Sequence, residues 1–336
     1  MAVRRIVVVG CGSIGQRHAR LLAQRPGLQV ELCEPNPDCL AEAVAAAGVA
    51  ESKSHRDFSE MLRTQPDLVV IATPHSLHAE QTIASLHAGV HVLCEKPMSD
   101  NLADAERMAE AAACGQPVLD FGFTLHFHPV LRRLKALIAS GELGTVLHVH
   151  CRIGTYVTLV CSRSRHQADL EGALLFDYVH QPDIFYWLLG VEPSAVHMTA
   201  LCGGDLPLRS DPNVVDLTLE YDVPLLASIH FNYIQMPQRH EYEIVGDQAW
   251  AILDMEANCL RIGSREENAE TSERIEVERD RLFEAEHQAF LDAVDGRRQP
   301  ESPAASAIVS MRVVDAALRS WRQSQRILIP SADRGE

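Results

Sequence analysis

Residues 4–15 read RRIVVVGCGSIG, and this stretch decides the predicted fold. Its apolar run predicts a short buried strand, and the three glycines that follow have the spacing GxGxxG. Where such a strand turns directly into a helix, Gly10 permits the tight turn, Gly12 lets a pyrophosphate approach the backbone, and Gly15 lets the helix pack against the strand. Three glycines at this spacing also arise by chance, so the inference depends on the strand before them and the helix after them.

The chain up to about residue 120 alternates short β-branched runs with longer segments of helical periodicity. This alternation is typical of βαβ units, which build a parallel sheet. Strands are predicted at residues 6–9, 30–33, 68–72, 91–94 and 118–121. Helices are predicted between them at residues 16–24, 37–47, 78–88 and 103–113.

After residue 120 the pattern changes to alternating apolar and polar runs, which are typical of half-buried antiparallel strands. Strands are predicted at residues 214–221, 225–233 and 240–245, and helices at residues 129–140, 172–189, 281–296 and 303–323. We therefore predict an α/β chain with an N-terminal Rossmann domain, a doubly wound parallel sheet, over residues 1–122. The C-terminal α+β domain, with a large, mainly antiparallel open-faced sheet, is predicted over residues 123–336.

Composition narrows the class of protein. The chain has 336 residues, 46% hydrophobic and 23% charged, as expected for a globular protein. Its formal net charge of -16 repels polyanions, so nucleic acid and anionic membranes are poor candidate partners. The first apolar run is far shorter than a signal-peptide core or a membrane span, which predicts a cytoplasmic protein. Since the nine cysteines form no CxxC pair, we expect reduced thiols and no metal site.

Glu34 stands at the end of the second predicted strand, 19 residues after Gly15. A carboxylate at this position accepts hydrogen bonds from the ribose hydroxyls of NAD and repels the 2′-phosphate of NADP. No arginine follows it directly. The sequence therefore favours NAD over NADP as the cofactor.

Two further motifs follow predicted parallel strands, at the sheet edge where such folds bind their ligands. They read ATPHSLH at residues 72–78 and CEKP at residues 94–97. Together with the glycine turn, they give the predicted cofactor-binding residues Gly10, Gly12, Ser13, Ile14, Gly15, Glu34, Thr73, Pro74, His78, Glu95 and Lys96.

The same motifs, in this order, resemble the Gfo/Idh/MocA family of sugar and cyclitol oxidoreductases. The resemblance continues through GFTLHFHPVLRRLKALIASGELG at residues 122–144, GALLFDYVHQPD at residues 172–183 and WLLG at residues 187–190, and covers essentially the whole chain. It implies a soluble enzyme that uses a small-molecule sugar or cyclitol as substrate. It also implies a homo-oligomer, a dimer or tetramer assembled through the C-terminal sheet.

The resemblance also implies the catalytic residues. Oxidising a secondary alcohol needs a hydride acceptor, here the nicotinamide, and a base for the hydroxyl proton. His180 matches the family's acid/base histidine, and Lys96 matches the lysine that can hydrogen-bond the reacting oxygen. Asp177 is assigned to the substrate-facing side, although many relatives place this aspartate one residue earlier, at Phe176 here. From the residues alone, Lys96 could be a solvated lysine, His180 a core histidine and Asp177 a helix cap.

Two segments bear on the substrate. Thr124 and His126 replace an asparagine and an arginine that relatives often carry there. Residues 156–166 have no clear helical or strand pattern and predict a loop over the site, in which arginine and histidine side chains could contact substrate or could simply be solvated. The predicted substrate-binding residues are Lys96, His126, Tyr156, Arg163, His166, Asp177 and His180.

The sequence favours reversible hydride transfer between NAD(P) and a ring hydroxyl of a sugar, sugar acid or cyclitol. One alternative is an NAD-dependent glycoside hydrolase that oxidises its sugar transiently and cleaves by elimination. Another is a non-catalytic NAD(P)-binding regulator, which the joint presence of Lys96, Asp177 and His180 argues against, since a regulator needs no proton-transfer groups.

Overall fold

The structure, a computed structural model, describes residues 3–115, 117–161 and 171–330. These residues form two compact units, and neither is a single continuous stretch of chain. The first unit comprises residues up to 127 together with 278–308, and the second comprises 128–277 together with residues from 309 onward. In the described part of the chain, the helices are α1 (Ser13–Ala23), α2 (Pro37–Ala47), α3 (Phe58–Arg63), α4 (His75–His87), α5 (Leu102–Cys114), α6 (Pro129–Ser140), α7 (Val157–Cys161), α8 (Ala173–Asp177), α9 (His180–Leu189), α10 (Arg279–Val294) and α11 (Ala304–Gln323).

The first unit is built on a parallel sheet whose strands follow the order β3-β2-β1-β4-β5-β6. Its described strands are β1 (Arg4–Val9), β2 (Leu28–Cys33), β3 (Ser54–His55), β4 (Leu68–Ile71), β5 (His91–Glu95) and β6 (Leu119–Gly122). All residues of β4 are buried, because helices cover both faces of the sheet. The strand order reverses between β1 and β4, and ligands of such sheets bind at this point, beyond the carboxyl ends of the strands.

Most predicted elements of this unit agree with the structure within three residues, and the doubly wound parallel sheet is confirmed. The sequence did not predict β3 or α3. A two-residue edge strand and a six-residue helix are too short for periodicity to identify.

The helix α10 explains why the chain does not divide at a single point near residue 122. Its residues Phe290 and Leu291 pack in the same apolar cluster as Ile6 of β1 and Leu32 of β2. Residues 278–308 therefore complete the core of the first unit, although residues 128–277 of the second unit precede them in sequence.

The second unit contains a sheet with the strand order β14-β13-β12-β11-β7-β10-β9-β8-β15. Every pair of neighbours is antiparallel except β7 and β10, which run parallel. In β9 the side chains of Val215, Leu217 and Leu219 are buried and those between them are not, so one face of the sheet is covered and the other is open. The described strands are β7 (Val146–Gly154), β8 (Ala195–Leu201), β9 (Val214–Glu220), β10 (Leu226–Asn232), β11 (Arg239–Gly246), β12 (Ala249–Asp254), β13 (Cys259–Ser264), β14 (Ala269–Arg274) and β15 (Ile327–Leu328).

The structure corrects two predictions in this unit. The helix predicted over residues 172–189 is two helices, α8 and α9, because Tyr178 between them has φ -104° and ψ 29°, outside the helical region. The predicted loop over residues 156–166 contains the short helix α7, while Arg163, Arg165 and His166 lie outside the described residues. None of the described helices has the length and apolar character needed to cross a membrane.

Gly15 generates a first prediction about stability. A Cβ atom at this position would lie 1.8 Å from the carbonyl oxygen of Gly10, so α1 or the preceding turn must move in Gly15→Ala. We expect the free energy of unfolding to fall by about 1–3 kcal/mol or more, measured by urea unfolding followed by far-UV circular dichroism.

Gly12→Ala is the matched control. Gly12 has φ -66°, which any residue adopts, and no atom of the described residues lies within 4 Å of an added Cβ. Its free energy of unfolding should stay within about 1 kcal/mol of the parent value. Equal destabilisation by the two substitutions would contradict the packing argument.

Candidate active site

The glycine turn joins the carboxyl ends of three neighbouring strands. The N–H of Gly10 donates to the carbonyl of Cys33 at the end of β2 (2.9 Å), and a Cβ on Gly10 would lie 2.6 Å from the carbonyl oxygen of Ala72 after β4. Gly10 also has φ +87°, which favours glycine. The backbone at this point therefore has no room for a side chain.

The amino-terminal end of α1 is open to a ligand. Gly12 is its N-cap and offers no side-chain oxygen, so no side-chain hydrogen bond caps the first amides of the helix. Gly12 and Ser13 are exposed, and Ile14 is half-buried. Uncapped amides at a helix N-terminus bind phosphate groups, because the N–H dipoles and the helix dipole both favour negative charge there.

The thiol of Cys11, inside this turn, is unsuited to act as a nucleophile. Cys11 is fully buried, and burial raises the pKa of its thiol to about 12. A thiol that stays protonated is a poor nucleophile.

Glu34 is fixed beside the turn by two backbone amides. Its Oε2 accepts the N–H of Cys11 (2.8 Å), and its Oε1 accepts the N–H of Asn36 (3.0 Å). The carboxylate is thus held at the carboxyl end of β2, where the sequence places the group that selects NAD over NADP. Asn36 in turn caps α2 through its side-chain oxygen.

The next two strand ends are tied together by His78. Its Nδ1 lies 2.9 Å from the carbonyl oxygen of Pro97, and its Nε2 lies 2.9 Å from that of Thr73. The ring is completely buried, and burial lowers its pKa. Pro74 begins α4 as its N-cap residue. A neutral ring has one N–H, so His78 donates to one of these carbonyls at a time and packs against the other. The buried ring is not itself open to a ligand.

Lys96 directly follows β5, and the side chain of Glu95 hydrogen-bonds its backbone. Oε2 of Glu95 accepts the N–H of Lys96 (3.2 Å), and Oε1 lies 2.9 Å from Nε2 of His18 on α1. Burial opposes ionisation of Glu95, but the His18 hydrogen bond and the nearby positive charge of Lys96 lower its pKa. A buried carboxylate thus fixes the backbone of the lysine, whose side chain remains half-buried.

The hydrogen-bonded contacts of Glu95 continue through His18 to His287 of α10. Nδ1 of His18 lies 2.7 Å from Nε2 of His287, and both rings are buried. A carboxylate only accepts hydrogen bonds, so Nε2 of His18 carries the proton of its contact with Glu95. In a neutral ring Nδ1 of His18 then has no proton, and it accepts from Nε2 of His287. Burial lowers the pKa of His287 well below its usual value, in agreement with a neutral ring.

In the second unit, Asp177 ends α8 and is held by a tyrosine. The hydroxyl of Tyr233 donates to Oδ2 of Asp177, and Tyr233 is completely buried. Burial and the Asp177 charge both raise the pKa of Tyr233, so this hydroxyl remains a donor. His180 is the first residue of α9 and is half-buried.

Tyr178 and Thr158 extend the polar cluster around Asp177. The hydroxyl of Tyr178 lies 2.9 Å from that of Thr158, which lies 3.1 Å from the hydroxyl of Thr155. Burial raises the pKa of Tyr178 to about 12. The ring of Tyr178 stacks on Phe231 of β10 and so braces the junction between α8 and α9.

Two of the predicted substrate-binding residues have structural partners. His126 is buried, its Nδ1 lies 3.0 Å from the hydroxyl of Ser302, and its ring stacks on Phe123. The hydroxyl of Tyr156 accepts the N–H of Leu208 (3.3 Å). Both contacts can stabilise the fold without any substrate.

The sequence did not identify His18, His287 or Tyr233 as parts of the site. Only His18 carried a usable signal, because it lies three residues after Gly15 and so shares a face of α1 with it. His287 contacts His18 and Tyr233 contacts Asp177, and the partners in each pair are far apart in sequence.

The comparison with known families agrees with this geometry. Residues 4–123 match the model of an oxidoreductase family with an NAD-binding Rossmann fold, and residues 131–252 match the model of the Gfo/Idh/MocA C-terminal domain. The chain belongs to the Gfo/Idh/MocA family of oxidoreductases. Its first unit is the NAD-binding domain of that family.

Curated relatives span the chain at low identity. An inositol 2-dehydrogenase of Burkholderia lata is 27% identical over an alignment of 341 positions, which covers 98% of this chain and 97% of that protein. An inositol 2-dehydrogenase of Mycolicibacterium gilvum is 26% identical over 269 residues, which cover 76% of this chain and 73% of that protein. Both similarities extend across the two units of the Gfo/Idh/MocA chain.

Solved structures share the fold. An oxidoreductase from Agrobacterium radiobacter in complex with NAD+, L-tartaric acid and magnesium has a TM-score of 0.88 at 17% identity, over 98% of this chain and 99% of that one. Levoglucosan dehydrogenase in complex with NADH and levoglucosan has a TM-score of 0.87 at 19% identity, over 98% and 100%. At these identities the structures establish the architecture of the Gfo/Idh/MocA chain.

Glu34 generates a prediction about cofactor preference. Glu34→Gln keeps an acceptor for a backbone amide and removes the negative charge that would repel a 2′-phosphate. We expect the ratio of the Kd for NADPH to the Kd for NADH to fall by about tenfold or more, measured by fluorescence titration, since 1.4 kcal/mol is a factor of ten. Glu51→Gln, at an exposed position, should leave the ratio unchanged. An unaltered ratio in Glu34→Gln would show that this carboxylate does not select the cofactor.

Tyr233 generates a prediction about the second unit. Tyr233→Phe removes a donor to a carboxylate and should lower the free energy of unfolding by about 1.5–3 kcal/mol. Tyr178→Phe removes a hydroxyl paired with a neutral hydroxyl and should cost only about 1 kcal/mol. Urea unfolding followed by tryptophan fluorescence measures both, because Trp187, Trp250 and Trp321 all lie in the second unit. A larger loss in Tyr178→Phe would contradict the assignment of the charged hydrogen bond.

Proposed function

We propose that the chain catalyses reversible hydride transfer between NAD and a ring hydroxyl of a sugar, a sugar acid or a cyclitol. The observation that carries this proposal is the position of Lys96, directly after β5, at the edge of the parallel sheet that also carries the glycine turn. An ammonium group at this edge can hydrogen-bond the oxygen of an alcohol whose carbon gives up hydride, and so stabilise the charge that develops on the oxygen.

The residues of the first unit fit a nicotinamide dinucleotide. The uncapped amides after Gly12 suit its pyrophosphate, and the open space above Gly12 leaves room for it. Glu34 suits the ribose hydroxyls of the adenosine. When bound, NAD would supply the hydride acceptor. The residues of the chain would bind the cofactor, donate a hydrogen bond to the reacting oxygen and accept the proton.

We assign to His180 the role of accepting the proton of the substrate hydroxyl. Its imidazole can take or give a proton near neutral pH, as a reversible reaction requires. Asp177, with one carboxylate oxygen held by Tyr233, has a fixed orientation that suits a neighbouring substrate hydroxyl. Lys96 acts as the hydrogen-bond donor to the reacting oxygen throughout.

The relatives and the donors available support the proposed substrate class. The similar proteins include inositol 2-dehydrogenases and a levoglucosan dehydrogenase, whose substrates are polyhydroxylated rings. Lysine, histidine and aspartate side chains are suitable hydrogen-bonding partners for the hydroxyls of such a ring. The open face of the second unit's sheet supports the further proposal of a homo-oligomer.

Lys96→Ala tests the assignment. We expect kcat for the best substrate in a screen of sugars, sugar acids and inositols to fall by about 100-fold or more, since the variant loses a donor to the reacting oxygen. The rate is measured by the absorbance of the reduced nicotinamide, with NAD and NADP in parallel. Binding of NADH, measured by calorimetry, should change much less than kcat.

Lys53→Ala, at an exposed lysine of the same unit, is the matched control and should keep the parent rate. The proposal fails if the parent protein binds no NAD(H), or if Lys96→Ala keeps the full rate. Release of a sugar without net formation of NADH would favour the hydrolase instead.

A further inference from the structure

Glu286 is a buried carboxyl group that the proposed reaction does not use. It lies on α10, its residue is only 3% exposed, and neither of its oxygens makes a hydrogen bond of normal length to a described residue, although the hydroxyl of Thr124 lies close enough to favour its ionised form. A buried ionised carboxylate without donors is very unstable, so the group must either gain a partner or lose its charge.

The nearest ionisable groups belong to the network under Lys96. Oxygens of Glu286 and Glu95 and a ring nitrogen of His18 all lie within 4.8 Å of one another. Asp120 adds negative charge from β6. The titratable and charged groups that face Glu286 or the network it joins include Glu95, Asp120, His18, His287, His78, Lys96, Arg25 and Arg279. The short 3-10 helix Thr124–Phe127, which carries His126, also packs against α10.

Two carboxylates this close together do not both ionise when they are buried. Glu95 has donors for its negative charge, namely the ring of His18 and the N–H of Lys96. Glu286 has the hydroxyl of Thr124 nearby but no hydrogen bond of normal length among the described residues, so the remaining proton belongs on Glu286. Burial and the repulsion of Glu95 and Asp120 raise the pKa of Glu286 well above its usual value, in agreement with this assignment.

We propose that Glu286 remains a neutral carboxylic acid at neutral pH. Of these two carboxyl groups, only Glu95, which hydrogen-bonds the backbone of Lys96, is then ionised. Glu286 is thus a positioning residue that acts through Glu95. Its ionisation would place a second negative charge against Glu95 and disturb the hydrogen bonds that fix the backbone of Lys96. The role of Lys96 in this inference rests on the proposed function, whereas the protonation of Glu286 does not.

The pH dependence of stability tests the protonation. In the unfolded chain Glu286 ionises above a pKa of about 4.3, while in the folded chain it keeps its proton, so the folded state loses stability as the pH rises. Glu286→Gln removes this dependence. From pH 5.5 to 7, the unfolding constant of the parent should rise relative to that of the variant by about tenfold per pH unit. Far-UV circular dichroism measures it without any substrate.

The matched control is Glu284→Gln, a half-buried glutamate on the same helix that pairs with Arg281. Its unfolding constant should follow the parent at every pH. An infrared difference spectrum of parent against Glu286→Gln should contain the carbonyl stretch of a protonated carboxyl group, and that of parent against Glu284→Gln should not. Parallel pH curves for parent and Glu286→Gln, or no such band, would overturn the proposal, as would a divalent metal bound in the parent and absent from the variant.

The positioning role has its own readout. Glu286→Ala should lower kcat more than it changes KM, and the isosteric Glu286→Gln should restore kcat, because it keeps the volume and neutrality of the acid. Loss of kcat in both variants to the same extent would overturn the positioning role. A parent with no dehydrogenase activity but with the expected pH dependence would contradict the proposed function and leave the protonation intact.

Discussion

The structure of the first unit depends on a backbone contact that only glycine allows. Helix α1 can begin directly above the end of β1 because Gly15 has no Cβ where the carbonyl of Gly10 lies. This contact brings the first helical amides to the carboxyl edge of the sheet, next to the ends of β2 and β4. The fixed carboxylate of Glu34 and the turn of Lys96 lie at the same edge, so the glycine contact determines where the chemistry of this unit can occur.

The sequence predicted the first unit well because its signals are local. A buried parallel strand is a continuous apolar run, and each helix between strands shows its own periodicity. Glu34 and Lys96 could be identified because they follow such strands directly. His18 and Glu95 become partners only when α1 is placed against β5, and no local pattern encodes that contact.

The second unit was harder to predict because its strands and its helix break depend on contacts that are not local in sequence. Its strands β7, β8 and β12 to β15 were not predicted, since short half-buried strands alternate weakly and take their identity from their neighbours. The break at Tyr178 was missed because it is stabilised by tertiary contacts, including the ring of Phe231 and the hydroxyl of Thr158. The assignment of Asp177 to the substrate-facing side remains a prediction, and the structure adds Tyr233 as the residue that holds it.

The return of α10 to the first unit has a consequence for how the protein is made. Phe290 and Leu291 complete an apolar cluster that begins with Ile6, so residues 128–277 of the second unit form a segment inserted between the two parts of the cofactor-binding unit. During synthesis from the amino terminus, this unit cannot close its core until the whole inserted segment has left the ribosome. A gene fragment that ends after β6 would encode an incomplete core with an exposed apolar face, which favours aggregation. The core of the cofactor-binding unit is therefore complete only after residues 128–277 have been made, although the glycine turn precedes them in sequence.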